Sequence, residues 1–163
     1  MRNDTNEKPF RPLVYICSPF FGDVEGNTER TRQFCRFALE HGQIPLAPHL
    51  MFPHFVNDED PEERDLALFM DIVLQGKCQE LWVLGDMISE GMSVEIETAK
   101  RRRQPVRYFN ADFEEVDSGR FELFGDDSGY FGYMNKSATL KAYAAARQAR
   151  FEYGETPRVR RFR

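Results

Sequence analysis

Apolar residues along this chain fall into short blocks that alternate between two periods. "LVYIC" (13–17) is a continuous apolar run closed by the breaker Ser18-Pro19, the mark of a buried strand. "NTERTRQFCRFALEHG" (27–42) then sets Phe34, Phe37, Ala38 and His41 at helical spacing, with charges on the opposite face. Gly26 ends the loop before it, Asn27 or Thr28 caps it, and Gly42 stops it. "IPLAPHL" (44–50) is a second, shorter strand that Pro48 ends. "DPEERDLALFMDIVLQG" (60–76) opens with Asp60 as N-cap and Pro61 at the first helical position, and its apolar stripe is Leu66, Phe69, Met70 and Val73. "ELWVLG" (80–85) is a third strand. A helix follows from about Ser89, with Met92, Ile96 and Ala99 as its buried stripe, and "PVRYF" (105–109) is the fourth strand.

Strands alternating with helices predict an α/β fold, a parallel sheet covered on both faces. Right-handed crossovers are expected to put the helices on alternate sides. Ligands of such sheets sit beyond the carboxyl ends of the strands, where the strand order reverses. That directs attention to loops 17–27, 47–60 and 85–91. The chain divides into a flexible segment 1–11, an α/β domain 12–110, and a C-terminal extension 111–163. Within the extension "GRFELFG" fits an added strand and "SATLKAYAAARQARFEYG" (137–154) a helix. The extension packs on the same domain or on a neighbouring subunit.

Composition narrows the function classes. A chain of 163 residues, 41% hydrophobic, suits one domain with a substantial core. Charged residues make up 30% and the net charge is −5, which argues against a polymeric nucleic-acid partner, although "RVRRFR" is locally basic. Cys17, Cys35 and Cys78 lack zinc-ligand spacing and read as three reduced thiols of a cytoplasmic protein. No run approaches the ~18 apolar residues of a membrane span, and "MRNDTNEKPF" is too polar for a signal peptide. Many of the fifteen Phe lie beyond residue 108, so the C-terminal part is expected to pack.

Three loops hold the candidate chemistry. In "SPFFGDVEGNTER", Pro19 and Gly22 shape a tight turn, while Phe20 and Phe21 either wall a pocket for a flat ring or enter the core. "GNTE" resembles the phosphate loop of flavodoxins, but eight residues separate Cys17 from Gly26, so a flavin-binding reading is the weakest. In "APHLMFPHFVNDEDP", His49 and His54 are structural or ligand-contacting; no further ligands stand at metal spacing, and neither a metal nor a cofactor is expected.

The third loop, "GDMISEGMSVEIETA", carries three glutamates. Glu90 complements the helix dipole in the first turn, an effect of about 0.3–1 kcal/mol. Glu97 shares the solvated face with Arg101. Glu95 differs: it borders the buried stripe, turned towards the sheet near a strand's carboxyl end. Gly91 lets a group approach the helix start closely. Ser89 either caps the helix or gives its hydroxyl to a phosphate. Asp71 occupies a shoulder of the 60–76 helix. It either contacts Arg64 or faces the same cleft as Glu95, where two carboxylates can split into nucleophile and acid.

Taken together, "VYICSPFFG", "GQIPLAPH" and "ELWVLGDMISEGMSVEIETAKRRRQPVRYF" resemble the nucleoside 2-deoxyribosyltransferase superfamily, in particular its poorly characterised bacterial and phage branch. The resemblance spans roughly residues 12–110, and the helix start "SxGMxxEI" is its most specific part. It implies a flavodoxin-like three-layer α/β/α fold with a central parallel sheet. It also implies cleavage of the N-glycosidic bond of a 2′-deoxynucleoside or its 5′-monophosphate, with transfer of deoxyribose to water or a second base. By the same resemblance Glu95 is the nucleophile, Tyr15 holds it, and Asp71 assists protonation of the leaving base. Ser18, Phe20, Phe21, Gly22, His49, Ser89, Gly91 and Met92 then line the substrate.

One position departs from the family pattern. Transferases of free nucleosides carry an Asp six residues before the nucleophile, where this chain has Ser89. Related hydrolases of deoxynucleoside 5′-monophosphates use a Ser there. A neutral donor at a helix N-terminus removes repulsion towards a phosphate, which favours a nucleotide. Family active sites are often completed by a neighbouring subunit, so a homo-oligomer is expected, with 111–135 contributing in trans. The competing reading is a non-catalytic nucleotide-binding or sensor module of the same fold.

Overall fold

The structure is a computed structural model and describes residues 8–20, 22–118 and 122–123. Its central sheet is built from β1 (Leu13–Cys17), β2 (Ile44–Leu46), β3 (Glu80–Leu84), β5 (Val106–Phe109) and β6 (Glu115–Val116), in the order β2-β1-β3-β5-β6. The first four are parallel, and β6 adds an antiparallel edge. Helices α1 (Val24–Glu40), α2 (Pro61–Gln75) and α3 (Glu90–Arg101) cover the two faces. The parallel strands follow flavodoxin-like order, with the switch point between β1 and β3.

Side chains of a strand alternate between faces, and the core divides accordingly. Val14, Ile16, Trp82, Leu84 and Phe109 pack with Phe34 and Ala38 of α1. Tyr15, Cys17, Leu81, Val83 and Tyr108 pack with Met92, Ile96 and Ala99 of α3. Each large apolar side chain buried in this way contributes roughly 1.5–3 kcal/mol. On the α1 face, Trp82 donates its indole N–H to Glu80 at 2.8 Å and lies 4.9 Å beneath the Arg107 guanidinium.

Several expectations are corrected. The helices do not alternate strictly: α1 covers one face, and α2 and α3 the other. A right-handed crossover changes side only when the strand path changes direction, and the path turns once, at β2. Helix α1 starts at Val24, not at residue 27. Asp23 is its cap and accepts from the Gly26 amide at 3.0 Å, so Gly26 lies inside the first turn. His41, expected on the buried stripe, is exposed, its ring tilted against Phe37; Thr31 takes the buried place one turn before Phe34. Strand β2 ends at Leu46, and residues 48–50 form a 3-10 turn. Within "GRFELFG" β7 (Glu122–Leu123) pairs in parallel with an unforeseen β4 (Met87–Ile88), apart from the central sheet. The expected helix at 137–154 lies outside the described residues.

The largest correction concerns α2. Asp60 caps it as expected, accepting from the Glu62 amide at 2.9 Å, but Leu66 and Val73 of the expected stripe are exposed. The buried positions are Ala67, Ile72 and Gln75. Gln75 is fully buried, and its Nε2 donates to the Glu95 carbonyl at 2.7 Å. Gln104 in turn donates to the Gln75 and Cys78 carbonyls at 3.0 and 2.8 Å. Polar residues thus face inward because they tie α2 to α3. Gln75→Ala is expected to cost about 1–3 kcal/mol, since the buried Glu95 carbonyl loses a donor. A shift in the urea midpoint equivalent to less than about 0.5 kcal/mol, at constant m-value, would rule out this clamp.

Candidate active site

The site lies at the switch point, on the α2–α3 face of the sheet. Gly85 turns the chain at the tip of β3 with φ +116°, a conformation that favours glycine, and the Pro19 ring packs against it. The tips of β1 and β3 are thereby held together. Ser89 caps α3, accepting from the Met92 amide at 3.3 Å. Met92 and Glu95 then share one side of the helix, Met92 buried in the core and Glu95 turned back towards β1. The Tyr15 hydroxyl donates to Glu95 Oε1 at 2.7 Å.

Helix α2 brings Asp71 to the same place. It interacts with the Tyr15 hydroxyl and feels the charge of Glu95. Arg64 donates to the Asp58 carbonyl. Burial pushes Glu95 up to about 7, opposed by hydrogen bonds from Cys17 and Tyr15. Burial raises Asp71 well above its ordinary value, the Glu95 and Asp58 charges raise it further, and the Tyr15 hydroxyl opposes the shift. Two carboxylates in one half-buried cluster resist joint ionisation. Glu95 has two donors, whereas Asp71 Oδ1 is buried with no partner among the described residues. Both carboxyls are thus shifted towards their protonated forms, and Glu95 has the more donors. The Tyr15 hydroxyl donates to Glu95 and also lies against Asp71, where it opposes the upward shift.

A second polar group lies at the end of β1. Ser18 Oγ is 2.8 Å from Thr31 Oγ1 and 3.0 Å from His49 Nε2, and Thr31 Oγ1 donates to the Asn27 carbonyl at 2.8 Å. Burial lowers His49 to about 4, so the imidazole is neutral. With the Thr31 proton committed to Asn27, the contacts are satisfied when Ser18 donates to Thr31 and His49 Nε2–H donates to Ser18. The Phe20 ring stands 5.7 Å from the imidazole. Among the described residues no three His, Cys, Asp or Glu side chains are grouped to hold a metal ion.

Residues 12–109, more than half of the chain, match the family described as Domain of unknown function (DUF7768). The chain belongs to this family. No curated protein matches this DUF7768 chain in sequence. Among solved structures, one similar to it is a 2-deoxyribosyltransferase from the psychrotolerant bacterium Bacillus psychrosaccharolyticus. The identity is 17% and the TM-score 0.49, with 77% of this chain and 95% of that one covered.

The matched span of the DUF7768 chain holds both polar groups. Of the residues singled out from sequence, Tyr15, Asp71 and Glu95 meet, and Ser18, Phe20 and His49 meet separately at the end of β1, against Thr31 of α1. Ser89, Gly91 and Met92 form the start of α3. Gly22 is exposed with φ +90°, His54 is exposed, and Phe21 lies outside the described residues. Glu97 pairs with Arg101 at 3.0 Å on the solvated face. Sequence reasoning missed Cys17, Thr31 and Gln75. Each had a signal: Cys17 shares a strand face with Tyr15, Thr31 precedes Phe34 by one turn, and Gln75 follows Asp71 by one turn. No described helix is long and apolar enough to cross a membrane.

Proposed function

We propose that this DUF7768 protein cleaves the N-glycosidic bond of 2′-deoxynucleoside 5′-monophosphates through a covalent deoxyribosyl-enzyme on Glu95. The observation that supports this most is the pairing itself: Glu95, fixed by the Tyr15 phenol at 2.7 Å, beside a second carboxyl, Asp71, that burial and the Glu95 charge shift towards its protonated form. The sequence resemblance to nucleoside 2-deoxyribosyltransferases assigns the roles of nucleophile and acid to these two residues.

In the first step a Glu95 oxygen forms a bond to C1′ as the C1′–N bond breaks. The electron pair leaves with the base, and the Asp71 proton passes to it. The fixed carboxylate stabilises the positive charge that develops on the sugar. In the second step water, or a second base, attacks C1′ and displaces Glu95, and the released proton returns to Asp71. Tyr15 keeps the carboxylate aimed and links it to Asp71. Ser89 spends an oxygen lone pair on capping α3, which leaves its O–H to donate to a 5′-phosphate at the helix N-terminus. The neutral His49 and the Phe20 ring line the side towards the base. In the same reading the protein is cytoplasmic and homo-oligomeric, with residues 12–110 as the catalytic unit. A monomer by sedimentation equilibrium at working concentration would remove the oligomer from the reading.

The test is release of free base from each deoxynucleoside and each 5′-monophosphate, followed chromatographically. Asp71→Asn should slow release by about 10²–10⁴-fold. The loss should be smaller for a base analogue that leaves without protonation. An equal loss for both leaving groups would remove Asp71 as the acid. Nucleotide binding with no base released from any substrate would favour the binding-module reading instead.

A further inference from the structure

Helix α2 turns its most apolar stripe away from the domain it belongs to. Leu66, Phe69, Met70 and Val73 fall at i, i+3, i+4 and i+7, so one face of the helix holds all four. Leu66 is 53% and Val73 40% exposed, and Phe69 and Met70 are half-buried. Ala67, Ile72 and Gln75 occupy the other face, which the domain buries. Glu62 continues the apolar face one turn towards the start of the helix, and Asp65 shares a side with Phe69; both acids are exposed. The outer face is therefore acidic at its beginning and apolar from Leu66 to Val73. An amphipathic helix keeps such a stripe for packing.

The path of the chain supplies an occupant. Strand β7 pairs with β4, Leu123 opposite Ile88, and Ile88 is buried with Met92 and Ile96 on the α2–α3 side of the sheet. Residues 124–136 come next, and thirteen residues span about 45 Å when extended. That is twice the length of α2, about 22 Å. The segment after them, "SATLKAYAAARQARF" (137–151), carries Lys141, Arg147 and Arg150 and no acid. At helical spacing its Leu140, Tyr143, Ala144 and Phe151 share a face with Arg147 and Arg150. This face, Leu140 to Phe151, is as long as that of α2, Glu62 to Val73. Laid antiparallel, the two match. Leu140, Tyr143 and Ala144 meet Val73, Met70 and Phe69, while Arg147 and Arg150 meet Asp65 and Glu62. We propose that residues 137–151 dock in this way on the outer face of α2 of their own chain. The α2 of a second copy is a poorer fit. Run parallel, it sets acid on acid; run antiparallel, it sets Glu62 and Asp65 on apolar side chains with no base to pair them. The tether also holds the chain's own segment near α2 at an effective concentration on the order of millimolar. The docking does not rest on the glycosidase reading.

The experiment uses the full-length protein with paired cysteines. Val73→Cys combined with Leu140→Cys should close a disulfide on mild oxidation, located within one chain by peptide mapping, because docking brings these Cα atoms within about 7 Å. Leu66→Cys combined with Leu140→Cys should stay reduced, since residue 66 lies about 10 Å further along α2. A second readout is the rate at which the single variant Val73→Cys reacts with iodoacetamide. Adding Arg150→Glu should speed the reaction about threefold by loosening the segment, and adding Glu62→Arg to that chain should restore the slow rate. A disulfide found only between two chains overturns the proposal in favour of a second copy. Absence of the 73–140 disulfide overturns it, as does equal cross-linking from residues 66 and 73. A Val73→Cys rate indifferent to the charge at position 150 also overturns it. None of these readouts depends on base release.

Discussion

Glu95→Gln is expected to reduce base release by about 10⁴-fold or more, because the substituted amide cannot form the glycosyl bond. The variant keeps the shape of the side chain, and its amide oxygen still accepts from Tyr15. Helix α3 is held by the Gln75 bond to the backbone of residue 95, which the substitution does not touch. The variant should therefore retain the native circular dichroism and nucleotide affinity while losing turnover. Turnover within tenfold of wild type would take Glu95 out of the mechanism. A partial loss rescued by added formate would instead confirm that an anion beneath C1′ is what the reaction lacks.

The same substitution should change how stability depends on pH. Glu95 has an ordinary value of 4.5 and is raised to about 7 in the folded protein. A carboxyl raised by folding contributes its stability when protonated in both states, below about 4.5. As pH rises from there to about 7, the unfolded chain ionises freely and the folded chain resists, so stability falls. The gap corresponds to up to about 3 kcal/mol. Asp71 is displaced in the same direction and adds to the trend. Wild type should thus lose stability between about pH 4.5 and 7.5, and Glu95→Gln should lose less. Urea midpoints of the two proteins, subtracted at each pH, cancel the titration of the remaining groups. A difference that stays constant over this range would mean that Glu95 titrates at its ordinary value.

How much of this was legible in the sequence depended on which force placed each residue. The strands β1, β3 and β5 and the buried stripe of α3 could be read because uninterrupted apolar runs and helical spacing have few other solutions. Glu95 could be singled out because an acid beside Met92 and Ala99 has no bland reason to face a sheet. Helix α2 was misread for the opposite reason. Periodicity assigns its most apolar stripe inward, yet its inward face carries Gln75, which serves a backbone carbonyl no sequence pattern displays. The start of α1 was misplaced by three residues because Asp23 and Asn27 are both good caps. The β4–β7 pair rests on two residues from each side, too short for any pattern.

The chain has one tryptophan, and its position decides what it can report. Trp82 sits on the α1 face of the sheet, whereas Tyr15, Asp71 and Glu95 gather on the reverse side. Its indole is enclosed by Phe34, Phe109 and the Arg107 guanidinium, contacts that vanish on unfolding. Emission from this single fluorophore therefore follows loss of native packing without direct quenching by the carboxylates. Substitutions at those carboxylates leave its surroundings in place, so one optical signal can rank every variant considered above on a common scale.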